Sequence, residues 1–374
     1  MKILGISCFY HDSAAALIIN GEVVAAALEE RFTRLKHDSS FPSKAIDFCL
    51  SFSKLNINEI DAIIFYEKPI RKFSRIVEDL IYYWPSPWRI FPRLINEWLG
   101  YKLNFSAVVK KKLNYKGPVY FSDHHISHAA SSYYLSPFDD CAYLVMDGVG
   151  ERASISYGVC EKNKIKPLKE VHFPVSLGIL YSVFTAYLGF EVNEGEYKVM
   201  GLAPYGKAKY KNIILTKMIK LLPDGLFELN SDYFSFYSDE IGYVEKKFIS
   251  ELGVAPRKLK TDPILPEHQD LAKSIQEVYE ELAIRILEHV AQTTKKNKII
   301  LSGGTALNCV ANTRFRDSKI FDDMFIFNSP GDAGAAIGAA LWLYYDHENN
   351  NFNPKEIEHN FWGPSFDEQE IKDY

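Results

Sequence analysis

The chain has 374 residues, a formal net charge of −5, and hydrophobic side chains at 47% of its positions. This length and composition predict a globular protein with a large core and two or three structural units. Its five cysteines form no CxxC pair, and charged residues follow the first apolar run closely, which disfavours a thiolate metal site, a signal peptide and a membrane span. We therefore expect a cytoplasmic protein with reduced core thiols.

The first third of the chain predicts a meander of strands followed by a helix. Strand-like runs flank a polar turn at residues 10–13 and the dipeptide Asn20-Gly21, which is a strong hairpin signal between two apolar runs. Pro42 is typical of a helix start, and that helix is predicted to end near Leu55. A buried strand is expected at residues 61–66.

Residues 68–116 are a basic and aromatic insertion in an otherwise acidic protein. They contain eleven Lys and Arg residues against three acids, together with three of the five tryptophans. The functional interpretations are an acceptor-binding lobe that stacks aromatic rings on a sugar-like substrate, or a surface for anions or membranes. The alternative is a helical cap that packs its rings inward, and it is favoured because tryptophan and tyrosine are mostly buried.

A weak internal repeat is the strongest sequence clue to the fold. Residues 141–171 repeat the scheme of strand, polar turn and hairpin found at residues 2–30. Two copies of one unit predict a duplicated α/β architecture. Residues 207–265 interrupt the second copy, and we expect a helix and hairpin insertion there to which no chemistry is assigned.

The second copy continues with alternating helices and strands. Apolar residues at three- and four-residue spacing predict a long amphipathic helix from Gln269 to Thr293. The elements predicted after it are a strand at 298–304, a helix from Ala306, a strand at 324–327 and an alanine-rich helix from Gly331 to about Tyr345. Two glycine turns stand between a strand and a helix, where backbone N–H groups and the helix dipole can face a nucleotide phosphate.

The segment Asp-His-His-Ile-Ser-His-Ala at residues 123–129 offers a metal site. If residues 120–123 end a strand and residues 128–134 begin a helix, His124 and His128 lie four residues apart on one face and can share a cation. His125 would then point elsewhere. The alternative is a helix N-terminus that is rich in histidine without binding a metal.

Eight short motifs run along the chain. They are G-I-S-x-x-x-H-D-S-A-A (5–15), E-E-R-F-x-R-x-K (29–36), H-H-x-S-H-A (124–129), M-D-G-x-G-E (146–151), P-x-S-L-G (174–178), G-E-x-K-x-M-G-L-A-P-Y-G (195–206), L-S-G-G-T-A-L-N (301–308) and P-G-D-A-G-A-A-I-G-A-A (330–340). In this order they resemble the carbamoyltransferases of the nodulation-protein and antibiotic-tailoring type. The resemblance covers essentially the whole chain.

This resemblance implies a duplicated actin-like ATPase fold, close to the domain that transfers threonylcarbamoyl groups to tRNA. It also implies an O-carbamoyltransferase. In such enzymes carbamoyl-adenylate, made from carbamoyl phosphate and ATP, donates its carbamoyl group to a hydroxyl of a small molecule, here a sugar-containing or polyketide-like acceptor. Neither a nucleic acid nor a membrane is an expected partner.

The resemblance also implies a domain organisation. The expected parts are a first actin-like subdomain at 1–140 with the insertion at 68–116, a second at 141–360 with the insertion at 207–265, and the start of a linker at 361–374. The resemblance implies that complete family members continue with an adenylate-forming domain. That domain is the expected partner, and we expect it to be missing from these 374 residues.

Carried over residue by residue, the family's metal ligands fall on His124, His128, Asp147 and Asp332. Two imidazoles with carboxylates suit iron, the ion that the resemblance favours, and also manganese or zinc. A metal there would neutralise the adenylate phosphate and orient the carbonyl. The alternatives are a turn-forming role for Asp147 and a helix-capping role for Asp332.

Two further residues fall on catalytic positions of the family. His11 matches the catalytic histidine and can remove a proton from the acceptor hydroxyl, unless it only binds substrate or caps its turn. Lys36 matches a lysine that holds the carbamoyl oxygen or the phosphate, unless it is a surface residue. The expected nucleotide contacts, where a missing Cβ lets backbone approach the ligand, are Gly148, Gly150, Gly178, Gly303, Gly304, Asn308 and Gly331.

Three other functions remain open from the sequence. An actin-fold sugar kinase or ATPase would use the glycine turns with magnesium, although it has no need of the histidine pair. A non-catalytic nucleotide-binding module would need no transition metal. A tRNA-modifying transferase is ranked low, because the basic insertion is interleaved with aromatic residues and the motifs follow the small-molecule branch.

Overall fold

The computed structural model describes residues 1–84, 98, 102–236, 242–355 and 357–372. Its strands are β1 (Lys2–Ser7), β2 (Ala14–Ile19), β3 (Glu22–Leu28), β4 (Ala62–Phe65), β5 (Val119–Phe121), β6 (Asp140–Met146), β7 (Ala153–Glu161), β8 (Lys164–His172), β9 (Ile219–Leu221), β10 (Phe227–Leu229), β11 (Phe234–Ser235), β12 (Gly242–Tyr243), β13 (Lys298–Ser302) and β14 (Asp323–Ile326).

The α-helices of the described residues follow the same order. They are α1 (Glu30–Thr33), α2 (Ser43–Phe52), α3 (Pro69–Tyr82), α4 (Phe105–Leu113), α5 (His124–Tyr133), α6 (Leu177–Tyr187), α7 (Glu196–Leu202), α8 (Lys211–Ile213), α9 (Glu245–Leu252), α10 (Pro266–Thr294), α11 (Cys309–Asp317), α12 (Asp332–Trp342) and α13 (Glu368–Lys372).

Two five-stranded sheets share one topology. The strand order is β3-β2-β1-β4-β5 in the first sheet and β8-β7-β6-β13-β14 in the second. In each sheet three antiparallel strands form a meander, and two parallel strands extend the sheet from the first strand of that meander. The duplicated α/β architecture predicted from the repeat is therefore confirmed.

The Asn20-Gly21 hairpin is confirmed as well. Both residues have positive φ angles, 51° and 86°, which is the conformation that a two-residue hairpin with the right-handed twist of its strands requires. The dipeptide joins β2 to β3, and these strands pair in antiparallel register from Ala14 with Leu28 to Ile19 with Glu22. One register shift interrupts the pairing at Leu17 and Ile18.

The core lies on both sides of the second sheet. Alternate residues of β6 point to opposite faces, so Cys141, Tyr143 and Val145 join the cluster shared with the first sheet. Ala142, Leu144 and Met146 join a second cluster beneath α6 and α10. The long helix α10 covers that second face along its apolar stripe, as its three- and four-residue spacing predicted.

Helices α5 and α12 fill the space between the two sheets. Helix α5 follows the last strand of the first sheet yet packs on β6 and β13, and α12 follows the last strand of the second sheet yet packs on β1 and β2. The two helices also pack against each other. Their first turns therefore meet at the carboxyl ends of the parallel strands, where α/β proteins bind ligands.

The contact between these helices depends on Gly338. A Cβ atom at this position would lie 1.9 Å from the carbonyl oxygen of Ser127 and 2.6 Å from the amide nitrogen of Ser131. We expect Gly338→Ala to lower the free energy of unfolding by about 3 kcal/mol, the upper end for overpacking, because backbone must move. Denaturant titration measures this. Gly201→Ala in α7 is the control, because nothing lies within 4 Å and alanine should add about 0.5–1 kcal/mol.

Three boundaries differ from the predictions. Helix α5 begins at His124, four residues before the predicted start, because Asp123 has extended backbone and the chain turns directly after it. Helix α11 begins at Cys309, after a short 3-10 turn at Gly304–Leu307, where a helix from Ala306 was predicted. The alanine-rich helix ends at Trp342 and continues as a π-helical turn to His347.

The two insertions are described in part. Residues 207–236 and 242–265 contain the helices α8 and α9 and the short antiparallel strand pairs β9–β10 and β11–β12. The aromatic insertion includes α3 and α4, whereas residues 85–97 and 99–101 lie outside the described residues. Trp98 is buried against Phe73, and Tyr82 and Trp84 are exposed. Among the described residues no helix has the length and apolar character to span a membrane.

Candidate metal site at the carboxyl ends of the strands

Five loops that follow parallel or central strands meet at one point between the sheets. His11 follows β1, Tyr66 and Glu67 follow β4, and Asp147 follows β6. The remaining contributions come from the first turns of α5 and α12, which directly follow the loops after β5 and β14. The site is therefore built from both copies of the repeated unit.

His124, His128, Asp147 and Asp332 form a compact cluster, and the ligand atom that each offers lies within 4.8 Å of the other three. His124 Nε2 is 3.1 Å from Asp147 Oδ2 and 3.6 Å from Asp332 Oδ1. His128 Nε2 is 3.2 Å from Asp332 Oδ1 and 3.1 Å from His124 Nε2. Both imidazoles and Asp332 are buried. The four residues that the sequence proposed as ligands thus converge.

Hydrogen bonds around the cluster orient its potential metal-ligand atoms toward one another. His128 Nδ1 donates to the carbonyl oxygen of Pro330 at 3.0 Å, which leaves the lone pair of Nε2 directed into the cluster. The amide of Gly304 donates to Asp147 Oδ1 at 3.2 Å, so the other carboxylate oxygen faces the histidines. Two Nε2 atoms 3.1 Å apart with carboxylates around them fit a shared transition-metal ion, because iron, manganese and zinc bind imidazole and carboxylate together.

The charges of the cluster shift its pKa values strongly. Burial opposes ionisation of Asp332 and Asp147, but the neighbouring imidazoles outweigh it and hold the pKa of both carboxyls below the usual range. Burial likewise opposes protonation of His124, yet Asp332, Asp147 and Glu67 raise its pKa to about 10. The buried carboxylates of the cluster therefore stabilise positive charge at the position of His124.

His11 stands at the edge of this cluster. Its Nε2 is 3.9 Å from Asp332 Oδ2, and its Nδ1 donates to Asp12 Oδ2 at 2.8 Å. Burial lowers the pKa of His11, but the bond to Asp12 and the charges of Asp332 and Asp147 outweigh it and raise the pKa to about 9. The structure thus brings this proposed catalytic residue to the four proposed ligands.

Lys36 lies apart from these contacts. Its ammonium group is 2.6 Å from Glu194 Oε1, so the lysine of the first half of the chain forms an exposed ion pair with the second half. The bond to Glu194 raises the pKa of Lys36. The direct partner of Lys36 in this structure is thus a carboxylate outside the cluster.

The proposed nucleotide residues fall into two groups. A Cβ at Gly150 would lie 2.7 Å from the His124 ring, and one at Gly303, where φ is 90°, would lie 2.2 Å from the carbonyl oxygen of Met146. Packing therefore explains these two glycines, and also Gly178, whose Cβ would meet the backbone of Asp147 and Gly148. Gly148 and Gly331 have open space at the Cβ position, which leaves room for a ligand.

Asn308 has a structural partner in α10. Its side-chain nitrogen donates to Gln276 Oε1 at 3.0 Å, and its side-chain oxygen caps α11 by accepting from the amide of Ala311 at 3.1 Å. The amide of Gln276 donates in turn to the same oxygen at 3.1 Å. Asn308 is thereby fixed at the start of α11, close to the glycine turn of residues 303–304.

Two residues of the site were not proposed from the sequence. Tyr66 Oη donates to Asp332 Oδ2 at 3.4 Å, and Glu67 Oε2 lies 3.6 Å from His124 Nδ1. Glu67 also forms a buried ion pair with Lys72 at 2.7 Å. The position of both residues directly after a buried parallel strand was the available signal, because ligands collect at such strand ends.

Comparison with known proteins identifies the family. Over residues 2–341 the chain matches the family described as Carbamoyltransferase N-terminus. The chain belongs to this family. A protein of Synechocystis sp. described as uncharacterized protein sll1178 is 44% identical over the whole chain, which spans 62% of that relative. Nodulation protein NolNO of Sinorhizobium fredii is 32% identical over 95% of the chain and 49% of its own length.

The fold of this carbamoyltransferase-family chain also has solved counterparts. Full-length HypF, in a phosphate- and nucleotide-bound form, matches 93% of this chain and 56% of its own length, with 11% identity and a TM-score of 0.52. At this identity the likeness concerns the fold alone. Together with the two sheets of one topology, it confirms the predicted duplicated actin-like fold.

Proposed function

We propose that this chain performs the transfer step of an O-carbamoyltransferase, in which carbamoyl-adenylate gives its carbamoyl group to a hydroxyl of a small molecule. The observation that carries the proposal is the four-ligand cluster with His11 at its edge, 3.9 Å from Asp332. Membership of the carbamoyltransferase family supports the reaction type. The sugar-containing or polyketide-like nature of the acceptor is part of the proposal.

The proposed reaction is an acyl transfer at one carbon. The acceptor oxygen bonds to the carbamoyl carbon, and the bond from that carbon to the phosphate oxygen breaks. AMP leaves with the bonding electron pair, and the hydroxyl proton passes to Nε2 of His11, whose Nδ1 is held by Asp12. Water must be excluded from this carbon, because it competes with the acceptor as a nucleophile.

His124, His128, Asp147 and Asp332 are the residues that would hold the metal, with iron proposed first and manganese or zinc as alternatives. A cation bound there would polarise the carbamoyl group and would offset the two carboxylate charges that favour the protonated form of His11. Tyr66 donates to one oxygen of Asp332, and the amide of Gly304 donates to one oxygen of Asp147. Each carboxylate therefore keeps its orientation.

The glycine turns are the proposed phosphate site. Gly148 and Gly331 are open at the Cβ position, and Gly331 directly precedes the first turn of α12, whose N–H groups attract anions. The bond from the amide of Gly304 to Asp147 Oδ1 keeps the backbone of a third glycine next to the metal ligands. The HypF structure that shares this fold contains phosphate and nucleotide, which supports a nucleotide in the same fold.

The relatives extend well beyond the length of this chain, which spans 62% and 49% of two of them. We propose that carbamoyl phosphate and ATP are converted to carbamoyl-adenylate by an adenylate-forming domain that works with this one. Lys36 is proposed to bind the carbamoyl oxygen or the phosphate once a ligand displaces Glu194 from its ammonium group. A cytoplasmic location is part of the same proposal.

The test combines binding and turnover on the metal-loaded chain. We expect a non-hydrolysable carbamoyl-adenylate analogue to bind in calorimetry, and removal of the metal by a chelator to weaken that binding by more than tenfold, about 1.4 kcal/mol. With labelled carbamoyl-adenylate generated by a separate adenylate-forming domain, AMP and a labelled carbamate of a methyl glycoside or macrolactone should appear together. Metal-independent binding of the analogue without transfer would contradict the proposal and favour a non-catalytic nucleotide-binding module. Phosphorylation of the glycoside by ATP would contradict it and favour a kinase.

A further inference from the structure

Asp12 bridges two imidazoles. Its Oδ2 accepts from Nδ1 of His11 at 2.8 Å, and its Oδ1 accepts from Nδ1 of His37 at 2.7 Å. Burial disfavours the ionised form of Asp12, but these two histidine bonds outweigh it and lower the pKa of its carboxyl. Both oxygens of one carboxylate are therefore occupied by ring nitrogens, and rotation of the carboxylate breaks both bonds together.

The loop that carries His37 is tied to the loop that carries His11. The amide of Phe9 donates to the carbonyl oxygen of Ser39 at 2.9 Å, and the amide of Ser13 donates to that of Asp38 at 2.8 Å. The amide of His37 itself donates to Glu30 Oε2 at 2.9 Å. Residues 37–39 thus form a support beneath the turn at residues 9–13.

Both ends of the His37–Asp12 bond have unusual backbone. Asp12 has a φ of 51° and His37 a φ of 55°, in the left-handed region that costs an ordinary side chain about 1–2 kcal/mol. Backbone strain of this kind collects at functional sites, where the surrounding structure enforces it. Here the strained backbone brings the ring of His37 to Oδ1 of Asp12, the carboxylate oxygen that His11 does not use.

We propose that His37 is a positioning residue that acts on His11 through Asp12. By donating to Oδ1 of Asp12, His37 fixes the plane of the carboxylate. The carboxylate then fixes the ring of His11, with its Nε2 directed at the four-residue cluster. Without that donor, Asp12 can rotate, and the ring of His11 loses its single orientation. This role rests on the transfer function proposed above, because positioning matters only if His11 takes part in the reaction.

Two substitutions of His37 separate the effect of its hydrogen-bond donor from the effect of its backbone conformation. Glycine and asparagine both accept a positive φ, but only asparagine places an N–H near the position of Nδ1. With labelled carbamoyl-adenylate as donor and a methyl glycoside as acceptor probe, we expect His37→Gly to lower kcat about tenfold, the size of one charge-assisted hydrogen bond, with KM unchanged. His37→Asn should restore kcat to within about twofold of wild type.

A double-mutant cycle then locates the effect. In a His11→Asn background, His37→Gly should change kcat by less than about twofold, because a residue that acts only through His11 has nothing left to position. An equal tenfold loss in both backgrounds, or a wild-type rate for His37→Gly alone, overturns the inference. A loss of bound metal in His37→Gly also overturns it, since Asp12, Glu30 and His37 would then be holding an ion of their own.

Crystal structures of the same variants decide the inference independently of the reaction. Wild type and His37→Asn should show one His11 ring orientation with Nδ1 bonded to Asp12, and His37→Gly should show a rotated or divided ring. An unchanged His11 ring in His37→Gly overturns the positioning role even if the chain proves active. If wild type transfers no carbamoyl group while the ring moves as expected, the proposed function fails and the structural role of His37 stands.

Discussion

We expect His128→Asn to lower the affinity for the proposed transition-metal ion by more than about 100-fold. Asparagine keeps an N–H near the position of Nδ1, so the bond to the carbonyl oxygen of Pro330 survives, whereas the Nε2 lone pair disappears. Loss of a residue that merely supports a ligand already costs about 10–100-fold, and loss of the ligand itself should cost more. Elemental analysis of protein purified without added metal should show near-stoichiometric metal in wild type and only background in this variant.

The matched control for this experiment is His125→Asn, on the same helical turn. The Nδ1 of His125 lies 2.8 Å from the hydroxyl of Ser156, and His125 is not one of the four residues whose ligand atoms converge. Burial lowers the pKa of this ring well below its ordinary value. The control removes a buried imidazole without removing a ligand, so its metal content should match that of wild type. Equal metal loss in both variants would indicate disruption of α5, and full metal retention in His128→Asn would contradict the proposed ligand set.

The second large effect is expected for His11→Asn, which should lower kcat of carbamoyl transfer by about 10²- to 10⁴-fold, the usual contribution of a general base. The substitution keeps an N–H near the position of Nδ1, so Asp12 retains its hydrogen-bond partner. It removes Nε2, the nitrogen that faces Asp332. The measurement is the single-turnover rate with labelled carbamoyl-adenylate and a methyl glycoside. Metal content and binding of the adenylate analogue should stay at wild-type levels.

An exposed histidine provides the control for His11→Asn. His172 at the end of β8 is more than half exposed, and the same substitution there should leave the transfer rate unchanged. If His11→Asn transfers at the wild-type rate, the proton leaves by another route, and His11 only binds substrate or supports its turn. A rate loss accompanied by metal loss would instead assign His11 to the integrity of the cluster.

Local sequence determined most of the architecture. The Asn20-Gly21 pair selects a hairpin because both residues accept positive φ angles, and the three- and four-residue spacing of apolar side chains selects the helix that became Pro266–Thr294. The four-residue separation of His124 and His128 placed both rings on one face of α5, since that spacing is about one helical turn. These features depend on neighbours along the chain, which a single sequence contains in full.

The long-range part of the site came from the resemblance to a family and not from spacing. Asp147 and Asp332 are 185 positions apart in the sequence, and they meet because they follow β6 and β14, whose carboxyl ends lie at the same edge of the second sheet. No periodicity predicts which loops of two sheets will converge. The geometry of the fold decides it, through the burial of apolar helix faces between the sheets.

Tertiary structure alone decided the partners of the remaining polar residues. Lys36 pairs with Glu194 across the two halves of the chain, and His37 bonds Asp12, although neither contact follows a local pattern. The packing of the loops decides which polar groups come within reach of each other. For the part-buried bond between His37 and Asp12, an unpaired group would also cost free energy. The sequence by itself therefore determined the strands, the helices and the histidine pair. The packing of the two sheets determined which side chains surround His124 and His128 and which residue shares Asp12 with His11.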